Sequence, residues 1–457
     1  MLIVTALAPI MALPGSVRSI LSSKSSKATD EQPPNGGYGW VCVGAVFGIN
    51  AHTWGLNGAF GIFLAYYLTT NTFPGTSSLE YAIIGGLSVS QALLVGPLAN
   101  IVTRKYGIRA TLLLGVLLQT VSLIGASFAK QIWHLFLCQG VGFGWGMGLL
   151  FTGSVGVPAQ WFTSRRSLAN GVSTAGSGIG GLIWSLATSS MIQRLGLPWT
   201  FRVLALLTCV VNTICSLLLR DRSKTIGSSH LAFDYRMFYR LEFNLLLTWG
   251  VFSMIGYTIL QFTLPDYAQS VGLSASEASV VAAVLSLGQA IGRPLVGYFS
   301  DSFGKTNMAG LMTLLVGVMT LVIWTFSKTL ASLVICALLL GLVFGTFWST
   351  ITPVGIDVVG MKDLPNALAL VWLLLTIPTT ASEPIALALR GTGGEYLNTQ
   401  LFTGAMYCAG ALSMWALRSW KYCHLAQQRD QGDRESGPSE KVKFQAVIQG
   451  LFTWQRL

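Results

Sequence analysis

The chain has 457 residues, 52% of them hydrophobic and only 10% charged, whereas a soluble domain carries about 25% charged residues. That composition excludes an ordinary soluble globular protein. The 28 basic against 17 acidic residues do not point to nucleic acid, because the basic residues fall between apolar runs. Six of the seven cysteines lie inside those runs, where they behave as small hydrophobes. No CxxC or metal-ligand spacing supports a disulfide or zinc framework, and no cofactor motif is present.

Residues 1–15 are apolar, but no basic region precedes them and they are too short to span a bilayer. They read as a disordered or interfacial tail rather than a signal peptide. A polar linker follows at 22–36. Twelve apolar stretches come next, near 39–68, 81–102, 110–129, 132–157, 167–192, 199–219, 241–264, 276–299, 306–327, 330–353, 365–389 and 398–418. A bilayer core of roughly 30 Å takes about 20 helical residues, so each stretch predicts a membrane-spanning helix. The expected domains are a disordered cytoplasmic tail (1–36), a six-helix bundle (37–219), a cytoplasmic loop (220–240), a second six-helix bundle (241–418) and a cytoplasmic tail (419–457). That last tail ends in a short amphipathic run, FQAVIQGLF.

With twelve crossings both termini share one side. The segments on that side hold 22 Lys and Arg, the opposite segments hold five, and Arg293 alone lies inside a span. The positive-inside rule therefore predicts cytoplasmic termini, and the plasma membrane is the expected location. The chain also repeats itself. Gly96 matches Gly297, Gly140 and Gly144 match Gly341 and Gly345, and SLAN (167–170) parallels DLPN (363–366). Two repeated six-helix halves predict a transporter with its site near the midplane between them.

Individual residues carry the chemistry. The run GVGFGWGMG (140–148) lies in an apolar span, so it reads as close helix packing and not as a phosphate loop. Arg293 is a charge within a span, which costs several kcal/mol and faces a cavity or a partner. It reads as an anchor for an anionic substrate, a structural ion pair, or a snorkelling side chain. Glu383 is the one acid well inside a span, either a proton carrier or an acid solvated near the outer surface. His52, flanked by Asn50 and Asn57, binds substrate, shuttles a proton, or packs. Gln91, Gln139, Gln261, Gln289, Tyr257, Trp145, Trp348 and Trp372 are further candidates for a cavity lining. These aromatics suggest a ligand larger and less polar than lactate. Arg104, Lys105 and Asp301 sit in loops where charge pairing can hold the halves in one state.

Four segments resemble a known family. PNGGYGWVCV (34–43), GPLANIVTRKYGIR (96–109), WFTSRRSLANGVSTAGSGIG (161–180) and GRPLVGYFSDSFG (292–304) are similar to motifs of the major facilitator superfamily. Within it they resemble the monocarboxylate porter family, in its fungal branch. The resemblance covers roughly residues 35–418 and implies an all-α fold of two six-helix bundles working by alternating access. It also implies a gating role for Arg104, Lys105 and Asp301. Departures stand out. Asn35 and Asn100 replace acids of the family motifs. Gln289 stands where proton-coupled carriers have an Asp four residues before the Arg, and Asn57 and Gly58 stand where they have a Lys. The residues expected to handle a proton are absent.

The chain therefore reads as an all-α membrane transporter, not an enzyme. Its expected cargo is a small organic acid or secondary metabolite, moved outwards from a biosynthetic pathway or inwards. A proton-coupled monocarboxylate importer is the alternative, with protons as coupling ion, and a non-transporting membrane sensor is the alternative of another class. The expected partners are the small organic substrate and the lipid bilayer.

Overall fold

The computed structural model describes residues 33–228, 230–231, 233–391 and 395–433. The apolar start, most of the polar linker and the amphipathic run near the C-terminus lie outside the described residues. All regular structure among the described residues is helical. That suits a bilayer, where every backbone donor and acceptor needs a partner within its own segment.

Each predicted span falls on helix. The first is Tyr38–His52, Trp54–Gly58 and Phe60–Thr70 in succession, broken at Thr53 and Ala59. The second is Ser78–Leu94 with Gly96–Tyr106, bent by 43°. The third is Ile108–Ala126, and the fourth runs from Ile132 to Ser154 with a π-helical stretch at Phe136–Gly142. The fifth to eighth are Arg166–Leu195, Leu197–Leu218, Leu241–Ser270 and Ala275–Phe303. The ninth is Lys305–Met319 continued by Thr320–Trp324. The twelfth is Leu397–Asp433.

The tenth and eleventh come from one apolar stretch, Leu330–Leu389, of 60 residues. At 1.5 Å per residue it would extend about 90 Å, three times the bilayer core. Gly360, at φ +83°, folds it back on itself. Among the described residues, seven stretches can cross a membrane by length and mean hydropathy, or eight with the bent pair. The first, fifth and twelfth helices fall short because breaks, glycines or polar residues dilute them. Leu117, Leu186, Leu206 and Leu412 are more than half exposed on the outside of the assembly, as lipid-facing leucines are.

Helices overrun their predicted limits. The eighth continues to Phe303 and the twelfth to Asp433, so the segment after 418 begins as helix. Residues near 35, expected in a disordered tail, are held. Asn35 Oδ1 accepts from Thr163 N at 2.6 Å, Thr163 Oγ1 at 2.7 Å and Ser164 N at 3.2 Å. The amide thus does an acceptor's work where the family motif has an acid. The turn that follows needs the left-handed region, with Gly37 at φ +58°, which suits glycine.

The two halves meet along the fifth and eighth helices and along the second and eleventh. Glycines allow the approach: a Cβ on Gly171 would lie 2.3 Å from Arg293 O, and one on Gly297 would lie 2.3 Å from Ser167 O. The hydrogen bonds between halves lie from Arg293 towards the side carrying residues 33–38 and 418, called here the terminal side. There Asn170 Nδ2 donates to the carbonyls of Trp348 and Ser349, and Asn100 Nδ2 donates to the Pro365 carbonyl at 3.0 Å.

Candidate functional site

Between the halves lies a cavity lined by residues of both. Its position follows from helix geometry. Arg293 stands ten residues before the end of the eighth helix at Phe303, about 15 Å along the axis. That is nearly three turns, because the helix continues past its predicted end at 299 through Asp301 and Ser302.

Arg293 is 4% exposed. Its Nη1 donates to the Thr174 carbonyl at 2.7 Å and to the Ser177 hydroxyl. Its Nη2 donates to Gln289 Oε1 at 2.6 Å and to the Tyr257 hydroxyl at 3.5 Å. Gln289 Nε2 in turn donates to Gln261 Oε1 at 3.1 Å. The guanidinium stem lies across Gly345, whose absent side chain leaves it room. Among the described residues all of these partners are neutral. The site is thus a buried cation held by dipoles and lacking a counter-ion, an arrangement that an entering anion stabilises. An acid at position 289 would have formed a net-neutral pair with Arg293, and Gln289 leaves the charge standing.

The opposite wall comes from the first helix. Asn50, Trp54 and Asn57 recur at helical spacing and line the cavity, near the breaks at Thr53 and Ala59. Breaks in spanning helices are where transporters build their binding sites. Asn50 Nδ2 donates to the Ser173 carbonyl at 3.0 Å, and Asn57 Oδ1 accepts from Ser88 Oγ at 2.6 Å. Trp54 packs against Phe151 and Trp348, with ring centroids 5.4 and 5.2 Å apart. Trp348 stacks on Trp372 at 5.6 Å, which lies beneath and does not line the cavity.

Of the residues singled out from sequence, Arg293, Gln289, Asn50, Asn57, Tyr257, Gln261 and Trp348 come together here. His52 does not. Two residues from Asn50 on a helix of 100° per residue, it faces the other way. Its Nδ1 is 2.9 Å from the Gly48 carbonyl and its ring meets Trp184 edge-on at 5.2 Å, a packing arrangement. Glu383 does not line the cavity either. It interacts with Asp266, which pairs with Arg390 at 3.3 Å and accepts from Tyr396, at the end of the second half away from the terminal side. Gln139 bonds Tyr67 at 2.9 Å and Gln91 bonds Trp145 at 2.7 Å, both within the first half.

Of the three residues expected to gate, only Asp301 reaches across. Its carboxylate accepts from the N–H groups of Ser167 and Leu168, each at 2.9 Å. Those are free donors in the first turn of the fifth helix, whose own N-cap, Arg165, makes no side-chain cap. A carboxylate there answers both the orphan donors and the helix dipole. Arg104 and Lys105 are exposed, and Lys105 lies over the Tyr106 ring at 5.1 Å.

Sequence reasoning missed Trp54, Phe151, Thr174 and Ser177. The spacing of Trp54 from Asn50 and Asn57 was a usable signal. Nothing local marked Thr174 and Ser177, which matter only because the other half brings Arg293 to them. It also missed the central loop, where Leu231 N donates to Asn366 Oδ1 at 2.7 Å and Leu231 O accepts from Asn100 Nδ2 at 3.1 Å. One loop residue is thereby tied to both halves. Beside it His230 is held below the usual imidazole range by burial, with Asp221 acting the other way.

Comparisons with known proteins follow the same lines. The sequence profile of the Major Facilitator Superfamily matches residues 40–241 and 246–454. The chain is 33% identical over 398 residues to the probable transporter MCH2 of Saccharomyces cerevisiae, covering 85% of this chain and 84% of that one. It is 27% identical over 399 residues to the fujikurins efflux protein of Gibberella fujikuroi, covering 85% and 84%. Its fold is similar to that of the Escherichia coli fucose:proton symporter FucP, with a TM-score of 0.59 at 14% identity over 81% of this chain and 97% of that one.

Proposed function

The chain belongs to the Major Facilitator Superfamily and is a multi-pass membrane transporter, and we propose that its cargo is a small organic anion or acidic secondary metabolite held by Arg293. The observation that carries this reading is the buried guanidinium in the cavity between the halves, met by neutral acceptors alone among the described residues. The fujikurins efflux protein, a relative that moves a metabolite outwards by its name, supports export of such a compound. The motif resemblance supports the fungal monocarboxylate porter branch, and the plasma membrane is the proposed location.

The working parts follow from this reading. Residues 37–219 and 241–418 act as two rocking bundles joined by the loop 220–240. Asp301, Asn100, Asn170 and the Leu231 strap close the terminal side. The cavity then faces the opposite side, and rocking breaks these bonds to open the terminal side. Both termini and the loop 220–240 are cytoplasmic, supported by the 22-to-5 distribution of basic residues. A C-terminal tag in intact cells should be protected from external protease and label. A tag exposed outside would overturn this orientation.

Coupling follows from Gln289. With no acid beside Arg293, a monoanion neutralises the site by itself and no proton is needed to vacate it. In proteoliposomes, lactate uptake should stay flat under an acid-outside gradient. Gln289→Glu should bring pH dependence, because the new carboxylate must be protonated before an anion can share Arg293. Strong acid-stimulated lactate uptake by the unaltered protein would support proton-coupled import instead.

A further inference from the structure

We infer that the cargo carries a flat aromatic or conjugated body behind its anionic head, and that Trp54 selects for an oxygen acceptor on that body; this rests on the anionic reading above. The cavity has two chemically distinct poles. One is the Arg293 and Gln289 cluster. The other is an aromatic wall built from both halves: Trp54 and Phe151 from the first, Tyr257 and Trp348 from the second, all lining the same space. Their ring centroids stand 5.2 to 6.0 Å apart, at interplanar angles of 48° to 84°. These rings pack faces against edges, the geometry in which aromatic groups attract one another; Phe151 and Trp348 are buried behind Trp54 and Tyr257, which are partly exposed. An anion the size of lactate would engage Arg293 and leave this wall uncovered.

Trp54 adds a directional element. Its indole Nε1 is buried with no acceptor among the described residues, as are those of Trp324, Trp348 and Trp372, whereas a buried indole N–H ordinarily finds one; of the four, Trp54 alone is partly exposed and lines the cavity. The residue opens the short helix Trp54–Gly58, just past the break at Thr53. The ring is therefore set by a discontinuity of the backbone and wedged between Phe151 and Trp348. A ketone, ester or enol oxygen on the cargo supplies the missing acceptor, while the carboxylate or enolate head lies at Arg293.

The test is calorimetric binding to the purified full-length protein with three bicyclic acids of similar size. Chromone-2-carboxylate has a ring ketone, naphthalene-2-carboxylate has none, and decahydronaphthalene-2-carboxylate lacks the flat ring. The naphthalene acid should bind about five-fold tighter than its saturated counterpart. The chromone acid should bind about five-fold tighter again. Trp54→Phe keeps a ring and removes the donor, so it should erase the second ratio and leave the first. Equal affinities for the naphthalene and decahydronaphthalene acids overturn the aromatic body. A chromone preference that persists in Trp54→Phe overturns the role of Trp54. If that variant fails to fold, the unaltered protein still decides: equal affinities for the chromone and naphthalene acids overturn the oxygen acceptor, as equal affinities for the naphthalene and decahydronaphthalene acids overturn the body. No binding by any of the three acids or by neutral chromone also overturns the inference. Failure of the anionic reading looks different: neutral chromone binds and none of the acids does.

Discussion

Arg293→Gln should lower affinity for an anionic cargo by about 30-fold to several thousand-fold, the equivalent of about 2–5 kcal/mol for truncating one side of a buried charged pair. Arg293→Lys should fall between, losing about 10- to 100-fold. A lysine ammonium keeps the charge but not the planar fork that reaches Ser177 and Gln289 together. The Gln variant should still fold. Removing Arg293 takes away a buried charge that has no counter-ion, and its former acceptors keep other partners. Ser177 also donates to the Thr174 carbonyl, and Gln289 also bonds Tyr257 and Gln261. Calorimetric binding on purified variants with unchanged elution profiles is the measurement. Unchanged affinity in a folded Arg293→Gln protein would overturn the anchor and leave a neutral cargo held by the carboxamides and the aromatic wall.

The spans were legible because a bilayer imposes one rule on every crossing: about 20 apolar residues with internally paired backbones. The tenth and eleventh helices are separable on sequence alone, since 330–389 is too long for one crossing and carries Gly360, Lys362 and Asp363 in its middle. Arg293 was legible for the same reason, as a charge where charges are expensive. Its surroundings were not. Thr174 and Ser177 are ordinary residues of a Ser- and Thr-rich helix, and only the apposition of the fifth and eighth helices gives them a role. His52 is the converse case. A mid-span histidine attracts a functional reading, but helical phase alone sets it apart from Asn50, Trp54 and Asn57. The third case is Asp301: it accepts from the backbone N–H groups of Ser167 and Leu168, which the sequence of one half cannot reveal.

Gly171→Ala and Gly297→Ala should open the terminal side without unfolding the protein. Each new Cβ would meet a backbone carbonyl of the other half at 2.3 Å, Arg293 O in one case and Ser167 O in the other. Ordinary contact needs about 1 Å more, and backbone cannot yield as a side-chain tip can. Overpacking of this kind costs about 1–3 kcal/mol. Here the cost falls on one state alone, because rocking separates the two surfaces. The equilibrium should therefore shift by about five- to 150-fold towards the form open on the terminal side. Spin labels at Lys105 and Ser302, one on each half in a cysteine-free background, should report a longer distance distribution. Two other glycines provide the control. A Cβ on Gly176 would lie 2.1 Å from Phe47 O, within the first half, and one on Gly292 would lie 2.0 Å from Leu342 O, within the second. Those contacts persist through rocking, so Gly176→Ala and Gly292→Ala should lower the melting temperature and leave the distance distribution where it was. If Gly171→Ala and Gly297→Ala lower the melting temperature equally and move no label, the surface between the fifth and eighth helices is a fixed core, and the halves do not part there.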